Sequence, residues 1–240
     1  MIFYRIYQFV IMLPLMLVAT TLTALIVIIG SMLGAGRWAG YYPPAAWSRV
    51  MCWLTLVRVT VRGKENINPG TSYVFVANHQ GAYDIFTVYG WLGHNFRWMM
   101  KKELRKIPLV GYACEKARQV YVDNSTPTRV RETMRKAEAL LAGGMSVVVF
   151  PEGARTWNGH MRAFKRGAYA LAMEFNLPVV PLTIDGAFKV MPRFKKLPRP
   201  GHIILTIHPP VYPTEQGHDL ARLMEDTRAA IASALPGESA

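Results

Sequence analysis

His79 and Asp84 are the pair of side chains best suited to moving a proton in this chain. Imidazole exchanges protons near neutral pH. A neighbouring carboxylate fixes its tautomer and stabilises the imidazolium once it forms. Positions five apart lie about 140° apart around a helix of ~3.6 residues per turn, so the two cannot share a helical face. They meet only if His79 sits in a loop and Asp84 in the first turn of the next helix. A capping role for Asp84 is the plain alternative. Asn78 precedes the histidine. A second polar cluster is Phe150-Pro151-Glu152-Gly153-Ala154-Arg155. Gly153 allows close backbone approach, and Arg155 offers a fork that matches phosphate oxygens. Glu152 could hold a hydroxyl, and a turn with a surface ion pair is the alternative. Lys101 is a possible second phosphate ligand, or part of a solvated charged face. No Gly-x-Ser-x-Gly elbow occurs. His94, His160, His202, His208 and His218 match no metal spacing and are expected in surface or structural roles.

Positioning such groups is the work of a strand-and-turn framework. Val57, Val59 and Val61 alternate with polar residues, which predicts a strand. Further strands are expected at Ser72–Ala77, Phe96–Met100, Gln119–Val122, Ser146–Phe150, Val179–Thr183 and Ile203–Ile207. Helices are expected at Ile85–Leu92, Thr126–Ala142 (closed by Gly143-Gly144), Arg166–Phe175 and across Leu220–Ile231. The alternation predicts an α/β fold, a layered domain with a mainly parallel sheet flanked by helices. Both polar clusters then follow strands, where open α/β sheets bind ligands.

Ahead of this domain lies a different kind of sequence. Phe9–Gly34 is almost wholly apolar, and no charge falls between Arg5 and Arg37. Such a run spans about 39 Å as a helix, against a hydrocarbon core of about 30 Å. It is too long for the apolar part of a cleaved signal peptide, so a retained membrane anchor is expected. Trp38, Tyr41, Tyr42, Trp47 and Trp53, mixed with Arg37 and Arg49, suit the headgroup level. The helix that Pro43-Pro44 begins reads equally as interfacial or as part of the core. The expected division is 1–56 for N-terminal membrane helices and 57–240 for the catalytic domain. Of the 28 basic residues only Arg5 precedes position 37, which leaves 27 against 15 acidic ones in the rest. By the positive-inside rule the domain faces the cytoplasm, as in a bacterial inner membrane. Two cysteines, Cys52 and Cys114, make neither a disulfide framework nor a metal cluster.

Taken together, the clusters resemble the 1-acylglycerol-3-phosphate acyltransferase family, the lysophosphatidic acid acyltransferases. Asn78, His79 and Asp84 match its Asn-His-x4-Asp motif, and Phe150-Pro151-Glu152-Gly153 with Arg155 matches Phe-Pro-Glu-Gly-x-Arg. Met100-Lys101-Lys102-Glu103-Leu104 and Val180-Pro181 match two further segments, and the likeness runs over about 57–210. One departure is Tyr121-Val122-Asp123-Asn124, where the family has Phe-Ile-Asp-Arg. The family's arginine is linked to acceptor binding, and Arg118 or Arg129 are candidate substitutes.

The resemblance implies transfer of an acyl group from acyl-coenzyme A or acyl carrier protein to the sn-2 hydroxyl of lysophosphatidic acid, giving phosphatidic acid. His79 is then the general base and Asp84 its orienting partner. Asn78, Lys101, Glu152, Gly153 and Arg155 bind substrate, with backbone N–H groups near Gly153 steadying the oxyanion. Neither metal nor cofactor is implied beyond the thioester co-substrate. Other lyso-lipid acceptors remain open, as does a non-catalytic membrane-anchored lipid-binding protein. The net charge of +13 would also fit nucleic acid, but the anchor and the absence of a nucleic-acid motif exclude that partner.

Overall fold

The computed structural model describes residues 2–123, 125–213 and 219–238. Asn124 and His218 lie outside the described residues. Seven strands form one sheet: β1 (Val57–Arg62), β2 (Val74–Ala77), β3 (Phe96–Lys101), β4 (Val120–Val122), β5 (Ser146–Val149), β6 (Val179–Asp185) and β7 (Gly201–Ile207). Their order is β1-β7-β6-β2-β5-β3-β4. Every pairing is parallel except β6 with β7. β1 and β7 therefore run against the other five, and their starts lie at the end of the sheet where β2, β5 and β6 finish.

The helices are α1 (Ile2–Tyr7), α2 (Leu13–Met32), α3 (Gly36–Ala39), α4 (Tyr42–Leu54), α5 (Tyr83–Trp91), α6 (Val110–Lys116), α7 (Pro127–Ala142), α8 (Gly167–Glu174), α9 (Ala187–Val190) and α10 (Leu220–Ser233). A π-turn at Gln8–Met12 joins α1 to α2, so Ile2–Met32 is one continuous apolar helix. α7 begins where Thr126 Oγ1 accepts from the N–H of Arg129 and stops before Gly144, which has a positive φ.

β2 is buried at all four positions, so both of its faces meet core. Phe75 and Ala77 point to one face with Tyr83, Val88, Val148, Leu182 and Ile203. Val74 and Val76 point to the other with Leu141, Val147, Leu171, Leu223 and Ile231. Helices thus cover both faces, α4 and α5 on the first, α7, α8 and α10 on the second.

α4 proves to be half core helix. Ala45, Ser48, Met51, Cys52 and Leu54 are buried, while Tyr42, Val50 and Trp53 face outward. The long N-terminal helix runs the length of the domain. Near its start, Tyr7 Oη donates to Leu54 O and Gln8 Nε2 donates to Pro198 O. Past its far end, Arg97 Nη2 donates to Gly36 O and Asn95 Nδ2 to Arg37 O, at the opposite edge of the sheet.

Candidate active site

β2 ends at Ala77, and the chain leaves the sheet through Asn78-His79-Gln80-Gly81 before α5 begins. α5 starts two residues earlier than expected, which puts Asp84 in its first turn. His79 Nδ1 lies 2.7 Å from Asp84 Oδ2. The same oxygen accepts the N–H of Gly81 at 2.8 Å. Asp84 therefore braces the entry to its helix and holds the imidazole at once. It is fully buried, whereas the His79 side chain keeps 14% of its surface exposed. Nδ1 spent on the carboxylate leaves Nε2 for a reactant.

The imidazole lies flat on Phe150, ring centroids 3.9 Å apart and planes 8° apart, and Phe150 stacks in turn on Trp98. Phe150 follows β5, the neighbour of β2. The two clusters, 71 residues apart in sequence, are thus brought together across adjacent strand ends.

Glu152 lies between the two loops. It is 3% exposed, and its oxygens accept the N–H of His79 at 2.7 Å and of Arg162 at 2.8 Å. With both oxygens so engaged, it pins the histidine loop to the 150s loop. Burial pushes its carboxyl up to about 7, against the pull of those two N–H bonds, and the charge of Asp84 adds to the rise. Asn78 also faces inward. It is fully buried, with Nδ2 donating to Ile184 O and Oδ1 accepting from Ile184 N. Its amide mimics a strand partner and clamps β2 to β6, so it has no group free for substrate.

Gly153 has φ +71°, and a Cβ there would lie 2.8 Å from Lys165 Nζ. The N–H of Gly153 bonds Phe150 O, so it cannot serve an oxyanion. Among the described residues the N–H groups of Ala154 and Arg155 make no internal bond. Arg155 is half-buried, and its guanidinium has no carboxylate partner among the described residues. Lys165 is a cation at this loop that spacing did not reveal; the basic run Arg162, Lys165, Arg166 was its only trace in the sequence.

Lys101 is not gathered into this cluster. It ends β3, exposed, two strands from β2 and so about 10 Å away at ~4.8 Å per strand. Beyond it an open cavity of about 420 Å³ lies between β4 and α7. Lys102, Arg105, Lys106, Arg129 and Lys136 line it with Tyr121 and Asp123. Arg129 thus faces that cavity, paired with Glu132, while Arg118 does not line it. His94, His202 and His208 bond to Ser146, Thr60 and Thr183, and His160 pairs with Glu238.

A family model described as Acyltransferase matches residues 58–185. A 1-acyl-sn-glycerol-3-phosphate acyltransferase of Chlamydomonas reinhardtii is 32% identical over 183 residues, which are 75% of this chain and 54% of that protein. One of Pseudomonas aeruginosa is 32% identical over 176 residues, 71% of this chain and 67% of that protein. The chain spans about half the length of the algal and plant relatives it matches. The crystal structure of the 1-acyl-sn-glycerophosphate acyltransferase from Thermotoga maritima superposes with a TM-score of 0.75 at 26% identity, covering 90% of this chain and 92% of that one.

Proposed function

The chain belongs to the acyltransferase family, and from that premise we propose that it moves an acyl group from a thioester to the sn-2 hydroxyl of lysophosphatidic acid, making phosphatidic acid. The observation that carries the reading is the 2.7 Å bond between His79 Nδ1 and buried Asp84, at a strand end open to solvent on the imidazole side. His79 Nε2 takes the proton of the acceptor hydroxyl as that oxygen attacks the thioester carbonyl. Asp84 keeps Nδ1 protonated and offsets the imidazolium charge. The carbonyl C–S bond then breaks, the new ester forms, and the proton on His79 passes to the leaving thiolate. The N–H groups of Ala154 and Arg155 are the donors available to the tetrahedral oxyanion. The Arg155 guanidinium, with Lys165 beside the loop, supplies charge for the acceptor phosphate.

The acceptor reaches this site from a membrane. The helix Ile2–Met32 carries exposed Phe3, Phe9, Leu17, Leu22, Ile29 and Leu33. It is strapped to the domain near both ends, so it lies along the interface with the domain beside it, on the cytoplasmic face. A crossing helix would drag the domain's polar flank into hydrocarbon. A narrow apolar cleft between α2, α4 and α6, lined by Ala24, Val27, Trp47, Tyr89 and Ala113, suits a hydrocarbon tail.

The test is transfer by the purified full chain to lysophosphatidic acid, with acyl-coenzyme A and acyl carrier protein compared as donors. His79→Ala should reduce turnover by at least three orders of magnitude with its thermal transition retained. Near-normal turnover in that variant would end the base role. Strong preference for another lyso-lipid in an acceptor panel would change the substrate but keep the chemistry.

A further inference from the structure

We propose that the segment 187–200, together with Trp157, forms a second membrane-contact edge that binds the headgroups of anionic lipid beside the mouth of the active site. It builds on the interfacial reading of the N-terminal helix. The segment holds Lys189, Arg193, Lys195, Lys196 and Arg199 and no acid. A loop that merely solvates the protein has no need of exposed rings, yet Phe194 is 54% and Trp157 60% exposed. Both rings have cation partners. The Arg193 guanidinium lies 4.3 Å over the Trp157 ring, and Lys195 Nζ lies 5.8 Å from that of Phe194. Phe194 also packs edge-on against Phe188. Exposed rings interleaved with cations that have no carboxylate partner among the described residues match the headgroup layer, where each finds an apolar or anionic neighbour.

Position supports the same occupant. The side chain of Gln8, fully buried, donates to Pro198 O at 2.8 Å. The loop is thereby tied to the part of the helix that bares Phe3, Phe9 and Val10. If those side chains enter the bilayer, the loop is at its surface, because its cations cannot follow into hydrocarbon. The other side of the loop holds the catalytic turn. Pro192 bridges Gly81, Met191 O accepts from Ala82 N, and Arg193 Nη1 reaches Arg155 O at 3.4 Å. Lipid gathered there lies next to the loops that carry His79 and Arg155. An acidic protein would answer the charge equally, but it gives no reason for the bare rings or for continuity with the apolar helix.

Full-length protein is reconstituted in nanodiscs of phosphatidylcholine alone, or mixed with phosphatidylglycerol, containing a headgroup-level fluorescence quencher. The difference between wild type and Trp157→Phe isolates the Trp157 emission. Trp38 and Trp53, beside the helix, report insertion through the matching differences with Trp38→Phe and Trp53→Phe in the same discs. Trp157 should be quenched in the anionic discs, and high salt should reverse it. Lys195→Glu/Lys196→Glu should weaken it by roughly fivefold in lipid affinity per lysine, while activity in detergent micelles stays unchanged. Trp157 unquenched while Trp38 and Trp53 are quenched would overturn this edge and leave the interfacial helix standing. No quenching of any of the three would overturn both. Shielding of Trp157 by acyl carrier protein, without quenching by lipid, would overturn the lipid assignment in favour of a protein partner.

Discussion

His79 is posed by three contacts, each made by a residue with a different task. Asp84 takes Nδ1–H, Phe150 stacks on the ring, and Glu152 accepts the backbone N–H. Asp84→Asn keeps an oxygen that can accept both N–H groups but removes the negative charge that offsets an imidazolium. Turnover should then fall about a thousandfold or more while the melting temperature changes little; unchanged turnover would reduce Asp84 to a helix brace. Glu152 titrates high in the folded state. The native protein therefore holds a proton between pH 4.5 and about 7 that the unfolded chain has released. Its contribution to stability is full at the acid end of that window and is lost as pH rises through about 7, by roughly 3 kcal/mol. Chemical unfolding in detergent, followed across that range, should show this decline. Glu152→Gln should flatten it and also lower turnover, because an amide NH₂ cannot accept either loop's N–H. A steady or rising stability from pH 4.5 to 7 would refute the assignment.

At the scale of elements, the parts that place the site are clamps between segments far apart in sequence. Asn78 ties β2 to β6, and Gly81 lets the turn that carries His79 approach the 187–192 segment, where a Cβ would come within 2.5 Å of Ala187 O. Arg97 is the clamp between the long helix and the sheet. It is 2% exposed, has no carboxylate partner among the described residues, and donates to the carbonyls of Gly36, Arg37 and Phe96 and to Asn95 Oδ1. The partial negative charge of those carbonyl oxygens offsets the buried cation. Burial nonetheless lowers its pKa. Arg97→Met leaves the carbonyls with fewer donors. It should cost about 1–3 kcal/mol in thermal unfolding, with turnover at a permissive temperature preserved. A collapse in turnover at full stability would instead place Arg97 in the chemistry.

For the whole molecule, the consequence of strapping a 31-residue apolar helix along a globular domain is topological. On the proposed interfacial reading, both ends of the helix stay on the domain's side of the bilayer. In sealed vesicles, epitope tags at the N- and C-termini should be cut by protease together, from the same face. Protection of one tag while the other is cut would show a crossing helix. The same geometry ties the start of the helix to the basic 187–200 segment at the His79 end of the sheet, which is why the proposed reading lets acceptor lipid meet His79 without leaving the membrane.

What the chain's residues determined by themselves was everything with a local cause. The buried valine runs at 146–149 and 179–180, the glycine stop after α7 and the uninterrupted apolar run at the N-terminus each carry their own signal, because propensity and periodicity act over a few residues. The contact between His79 and Asp84 was legible for the same reason: the turn between them is short. Tertiary structure decided which polar residues turn inward. Glu152 and Asn78 look like ligands in a list of residues, but each is turned inward by a backbone partner 73 or more positions away. It also decided that Lys101 stands apart, that Lys165 overlies Gly153, and that the apolar helix runs beside the domain. Those outcomes depend on which strands neighbour which and where the backbone N–H and C=O groups find partners, and that pairing is settled only when the whole chain packs.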